Sequence, residues 1–187
     1  MSKKIRALLD RHYITPSTDL DQNFFKNIHL LQKMVGYARV NKDSTVLEIG
    51  AGLGFLTKQL AKRAKLVIAV ERDRQFEDLL REELSGFNNV ELVFRNAIEL
   101  EKVSVDCIVS NLPYNLCEPL LKILHKWKFK TAVLLVSKKF ALKLVTDSNL
   151  KELVSRYNVE LLDDVAKENF YPQPSVESKI VRLTSGK

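Results

Sequence analysis

Thr45-Val46-Leu47-Glu48-Ile49-Gly50-Ala51-Gly52-Leu53-Gly54 decides the fold of this chain. Five residues suited to a buried strand run into three glycines at alternate positions, and Leu56, Leu60 and Ala64 then recur at helical spacing. A strand that breaks into a glycine turn and restarts as a helix lets the backbone approach a ligand closely. It also aims the next helix's N-terminus at that ligand. A dinucleotide fingerprint would need glycine at position 55, where Phe55 stands, so the turn points to some other nucleoside.

Outward from this turn, strand and helix patterns alternate. Residues 24–38 read as an amphipathic helix with Phe24, Ile28, Leu31, Val35 and Ala38 on one face. A strand over 66–70 ends at Glu71, and a helix follows over about 73–84. Further strands fall at 90–94 and 105–109, joined by a short loop-like crossing, then a helix at 116–127, a strand at 132–136 and a helix at 138–145. Two late strands, near 159–162 and 179–183, flank Phe170-Tyr171-Pro172-Gln173-Pro174 with no convincing helix between them. The expectation is an α/β fold of Rossmann type: a mostly parallel seven-stranded sheet with helices on both faces and an antiparallel edge hairpin. Residues 1–187 read as one domain, with 1–22 an N-terminal extension.

Composition narrows the setting. A chain of 187 residues, 45% hydrophobic and 28% charged, can bury a full core without disulfides. The longest apolar runs, such as 131–136, are strand-length, so no membrane span is expected. The first residues lack the apolar stretch of a secretory signal. Cys107 and Cys117 form neither a disulfide framework nor a metal-spaced cluster, and no metal is expected. A reducing, cytoplasmic setting and a monomer fit these features. The net charge of +7 equals the lysines between Glu118 and Asp147: Lys122, Lys126, Lys128, Lys130, Lys138, Lys139 and Lys143. They read either as a solvated face or as an electrostatic footprint for phosphates.

Two segments carry chemistry. Glu71, ending the second strand, suits a grip on ribose hydroxyls, although it equally suits capping the helix near Asp73. Gly54 likewise serves either ligand approach or helix–strand packing. After the fourth strand stands Asn111-Leu112-Pro113-Tyr114, on the side of the sheet where α/β folds bind ligands. An Asn111 side-chain oxygen and the Leu112 carbonyl would accept the two N–H groups of an amine conjugated to a ring. That arrangement turns the nitrogen lone pair toward a methyl sulfonium such as S-adenosylmethionine. Pro113 stiffens the acceptor pair, and Tyr114 would stack on a base. Catalysis of this kind rests mostly on positioning.

Asp21-Gln22-Asn23-Phe24-Phe25, the Glu48–Gly54 turn, Ala69-Val70-Glu71-Arg72-Asp73, Asn111-Leu112-Pro113-Tyr114-Asn115 and Phe170-x-Pro172-x-Pro174-x-Val176-x-Ser178 occur in that order. Together they resemble the ribosomal-RNA adenine N6,N6-dimethyltransferases, a family that includes the kasugamycin-sensitivity and erythromycin-resistance enzymes. The resemblance runs from about residue 20 to residue 183. It implies an S-adenosylmethionine site built from Gln22, Asn23, Phe25, Glu48, Gly50, Gly52, Glu71, Arg72, Asn96 and Asn111. Within it, Asn23 and Phe25 close over the methionine end, Glu71 holds the ribose and Arg72 lies along the adenine. The resemblance also implies that Asn111 and the Leu112 carbonyl, stiffened by Pro113, receive the target amine, while Tyr114 and Phe170 sandwich the target base. The implied substrate is ribosomal RNA of the immature small subunit, with Lys122, Lys126, Lys138, Lys139 and Lys143 as RNA contacts.

The sequence departs from the family in four places. Asn96 stands where the family has an aspartate for the cofactor's adenine amine, which predicts weaker binding. Ser137-Lys138-Lys139 replaces Gln-Lys-Glu, the stretch between Val145 and Val159 is short, and the family's small helical C-terminal domain is expected to be absent. These departures keep a second reading open, a non-catalytic RNA-binding or ribosome-assembly factor that retains the fold. Leu112 argues against a third, DNA adenine methylation, whose enzymes favour two prolines before the aromatic.

Overall fold

The computed structural model describes residues 2–17 and 19–186. The glycine-turn strand, β2 (Thr45–Ile49), lies at the centre of a seven-stranded sheet. Val46, Leu47, Glu48 and Ile49 are all buried, as expected of a strand covered on both faces rather than one. Val46 joins one apolar cluster, while Leu47 and Ile49 join the other. The other strands are β3 (Leu66–Glu71), β4 (Val90–Phe94), β5 (Cys107–Asn111), β6 (Thr131–Ser137), β7 (Tyr157–Val165) and β9 (Ser178–Ser185). Their order is β4-β3-β2-β5-β6-β9-β7, parallel from β4 to β6 and antiparallel at β6/β9 and β9/β7. The expected seven-stranded sheet and antiparallel edge are both present.

Helices cover the two faces: α2 (Ile28–Tyr37), α3 (Phe55–Ala61), α4 (Glu77–Glu83), α5 (Cys117–Leu124), α6 (Lys138–Thr146) and α7 (Ser148–Leu153). Side-chain caps set the starts of α2, α6 and α7. Asn27 accepts the His29 N–H, Ser137 the Phe140 N–H, and Asp147 the N–H groups of Asn149 and Leu150.

Several boundaries correct the sequence reading. The helix expected from residue 24 begins at Ile28, and Phe24–Phe25 is instead a short strand, β1. It pairs antiparallel with β8 (Phe170–Tyr171), Phe25 opposite Phe170. Adjacent phenylalanines that are both buried suit a strand held between two apolar surfaces better than one helix stripe. The fourth strand runs two residues further than expected, so Asn111 is its last residue rather than the loop beyond it. The following helix stops at Leu124, and Trp127 packs after it with Nε1 donating to the Leu100 carbonyl at 3.1 Å. Residues 148–153 form a helix that was not expected.

The N-terminal extension is not a tail. Ser2–Arg11 forms α1, with Ile5, Leu8 and Leu9 buried in the cluster that also holds Phe24, Phe25 and Phe170. Arg6 Nε donates to the Tyr171 hydroxyl at 3.3 Å, and Arg11 pairs with Glu82 of α4. Cys107 and Cys117 are buried and free, their thiols pushed up to about 11 and about 12 by burial.

Candidate functional site

The chain runs from β2 outward through β3 and β4, then returns to β5 on the other side of β2. The carboxyl ends of β2 and β5 therefore border a crevice at the point where strand order reverses. A cavity of about 850 Å³, including its open mouth, lies there. Gly50, Gly52 and Gly54 all adopt positive φ, at 78°, 52° and 71°. A Cβ on Gly50 would stand 3.8 Å from the Asn111 carbonyl oxygen and 3.8 Å from Pro113 Cδ. Those are ordinary contacts, so it is the positive φ of Gly50, not crowding, that calls for glycine beside the acceptor segment. Gly54 has the packing role: its Cβ would meet Leu80 Cδ2 at 3.3 Å.

Two glutamates line the same cavity. Glu71 accepts the Gly52 N–H through Oε2 and the Asp73 N–H through Oε1, both at 2.9 Å. It therefore does cap the turn at Asp73, while each oxygen retains a lone pair for a further donor. Burial raises its pKa, against the pull of those backbone N–H groups. Glu48 is wholly buried, and neither of its oxygens has a hydrogen-bond partner. Burial pushes its carboxyl up to about 8, and the nearby negative charge of Glu71 adds to the shift. The Thr57 hydroxyl and backbone N–H, set against it from α3, oppose that rise.

A strap formed by residues 19–25 crosses this cavity and is tied to both banks. On the β3 side, Gln22 Nε2 donates to Asp73 Oδ2 at 2.7 Å. On the β5 side, Asn111 Nδ2 donates to the Asn23 carbonyl at 2.8 Å, and Asn115 donates to Asp21 Oδ2 and the Asp19 carbonyl. The Asn111 amide is thereby oriented with Oδ1 as the atom left for another donor. Sequence reasoning gave no strap role to Asp21, Asp73 or Asn115. The hint lay in short polar residues flanking both motifs, but their pairing across more than 50 positions has no local signature.

Of the expected site residues, Gln22, Asn23, Phe25, Glu48, Gly50, Gly52, Glu71, Arg72, Asn96, Asn111 and Pro113 all line the cavity. The Asn96 oxygen faces the Ile98 N–H at 3.4 Å, and its Nδ2 donates to Glu99 Oε1 at 3.3 Å, which caps the turn that follows β4. The Leu112 side chain is buried. Tyr114 is half-buried, its hydroxyl 2.7 Å from Ser178 Oγ. Phe170 is 1% exposed, its ring 4.7 Å from that of Phe25. Phe170 therefore offers no exposed face to a base, against the expected sandwich.

The lysine cluster does not form one face. Lys126, Lys128 and Lys130 precede β6, beside Ser104 and Asp106, at the amino ends of the parallel strands and opposite the cavity. Lys122 pairs with Glu118 within α5, and Lys130 with Asp106. Lys138 pairs with Asp164 and Glu177. Lys139 and Lys143 lie exposed on α6, which starts at the carboxyl end of β6, and among the described residues neither has an ion pair.

A sheet of this order, a glycine turn aimed into the crevice, acidic strand ends and Asn-Leu-Pro-Tyr opposite them together define a Rossmann-like methyltransferase. The comparisons narrow the class. The family model for ribosomal RNA adenine dimethylase matches residues 15–187. The probable ribosomal RNA small subunit methyltransferase A of Pyrococcus abyssi is 36% identical over 194 residues, covering 100% of this chain and 72% of that protein. Its counterpart in Thermococcus sibiricus is 34% identical over 188 residues, covering 97% and 68%. A dimethyladenosine transferase from Plasmodium falciparum superposes with a TM-score of 0.80 at 32% identity, covering 87% of this chain and 63% of that one. The 23S rRNA methyltransferase ErmE gives a TM-score of 0.80 at 28% identity, covering 87% and 70%. The chain belongs to the ribosomal RNA adenine dimethylase family.

Proposed function

We propose that this chain methylates the exocyclic N6 of an adenine in ribosomal RNA of the immature small subunit, with S-adenosylmethionine as methyl donor. The observation that carries the reading is the Asn111 amide, fixed by the Asn23 carbonyl at 2.8 Å in the cavity that the glycine turn also lines. When bound, the cofactor supplies an electrophilic methyl group on a sulfonium. The cavity suits such a ligand, since Glu71 has acceptor capacity for a ribose and Glu48 holds a buried, unpartnered carboxyl for a positive charge. Asn111 Oδ1 and the Leu112 carbonyl accept the N6 hydrogens, so that the nitrogen lone pair points into the crevice. Tyr114 stacks on the base, with its hydroxyl 2.7 Å from Ser178 Oγ. Positioning of this kind leaves no residue needed as a strong base, because the methylated nitrogen loses its extra proton to solvent.

The test combines calorimetric titration of S-adenosylmethionine with transfer of labelled methyl groups to immature small-subunit RNA. The wild-type chain is expected to bind the cofactor and label adenine, while Asn111→Ala loses transfer on the order of a hundredfold with a smaller loss of cofactor affinity. Cofactor binding without label in any adenine-containing RNA overturns the proposal and favours a non-catalytic RNA-binding role.

A further inference from the structure

Of the two rings expected to sandwich a base, Phe170 is covered by Phe25, and Tyr114 remains. An aromatic side chain swings about two bonds, and a base stacked on one face does not fix its plane. Tyr114 is held at both ends instead. At the backbone end it follows Pro113, whose ring fixes φ, and it opens a turn closed by the Leu116 N–H on the Pro113 carbonyl at 2.9 Å. At the far end its hydroxyl lies 2.7 Å from Ser178 Oγ. Ser178 is wholly buried at the start of β9, opposite Ser137 of β6 on one side and Val165 of β7 on the other. A strand paired along both edges has no room to slide, so Oγ is a fixed point of the sheet. Burial raises the Tyr114 pKa and keeps the phenol neutral near pH 7, so the bond acts on position and not on charge.

We infer that Ser178 is a positioning residue for methyl transfer: through the Tyr114 hydroxyl it sets the plane of the ring that stacks on the target adenine, and with it the angle at which N6 meets the methyl group. The inference rests on the adenine-methylation reading above. A serine that merely satisfied a half-buried tyrosine would add to stability and leave the chemical step alone. One that sets the ring plane acts on the step itself, because reacting atoms misplaced by about 1 Å lose rate on the order of a hundredfold. Without the bond the ring tilts but stays in place, so the expected loss is smaller.

The experiment is a double-mutant cycle on single-turnover transfer of labelled methyl groups to immature small-subunit RNA, with Ser178→Ala, Tyr114→Phe and the two combined. Affinities for S-adenosylmethionine and for the RNA are measured on the same proteins. Each single variant is expected to slow transfer about tenfold, with both affinities within about twofold of wild type. The double variant is expected to be no slower than either single one, since both remove the same bond. Ser178→Ala at the wild-type rate, a double variant slowed by the product of the two single losses, or a loss carried by affinity alone overturns the inference. Tyr114→Phe breaks the bond from its less buried end, so a wild-type rate in that variant overturns the inference even if Ser178→Ala does not fold. Absence of label with the wild-type chain overturns instead the methylation reading beneath it, and the inference with it.

Discussion

Glu48 also governs how the ligand-free protein responds to pH. Its carboxyl has an ordinary value of 4.5 and is pushed to about 8 by burial, so between those values the folded chain holds a proton that the unfolded chain has released. Stability therefore falls as pH rises through this window; the effect is absent below it and complete above it. A shift of that size corresponds to at most about 5 kcal/mol. Glu71 is raised as well and acts in the same direction. Asp106, Asp163 and Glu160 are lowered, chiefly by hydrogen bonds from Lys130, Lys33 and Arg182. Their contribution is lost only at acid pH, below the window of Glu48. Urea unfolding should show Glu48→Gln close to wild type at pH 5 and more stable by a few kcal/mol at pH 8.5. Equal stability at pH 8.5 would mean that the carboxyl ionises without cost.

Elements were legible where their own pattern was strong. β2, β3, β4 and β6 are short apolar runs bounded by glycine, charge or asparagine, and each formed within a residue or two of expectation. α1 was missed because Lys3, Lys4, Arg6, Asp10 and Arg11 outnumber Ile5, Leu8 and Leu9, although those three recur at helical spacing and are at most 8% exposed. β1 and β8 have two residues each, too few for any periodic signal, and exist because Phe25 and Phe170 pack together. A helix that joins the core through three side chains should fail when one is cut back. Leu9→Ala should cost about 2–4 kcal/mol in chemical unfolding, against less than ~0.5 kcal/mol for Lys4→Ala on the exposed side. A Leu9→Ala protein as stable as wild type would show that α1 is only loosely attached.

At the scale of the whole molecule, the parts of the site were visible in sequence but their sorting was not. The glycine turn, Glu71 and Asn111 share one cavity because the carboxyl ends of parallel strands converge on one side of the sheet. The burial of Phe170 was not readable, since it depends on Phe25 arriving from 145 positions earlier. Nor was the division of the lysines, since residues close in sequence sit at opposite ends of the sheet when a strand lies between them. β6 is such a strand, with Lys126 and Lys128 before it and Lys139 and Lys143 after it. Strands of five to seven residues span roughly 15–25 Å, about two Debye lengths at physiological salt, so the two pairs act on a bound strand independently. RNA whose adenine enters the crevice lies over the end that carries Lys139 and Lys143. Charge reversal there, Lys139→Glu with Lys143→Glu, should weaken RNA binding and reduce the slope of log affinity against log salt by about 2. Lys126→Glu with Lys128→Glu makes the same change in net charge at the other end, and should leave the slope within about 0.5 of wild type. The two double variants have equal net charge, so a non-specific attraction to polyanions would move both slopes alike. That result would remove the assignment of the α6 end as the RNA face, whereas a slope that falls only with the first pair would place the RNA across the mouth of the cavity.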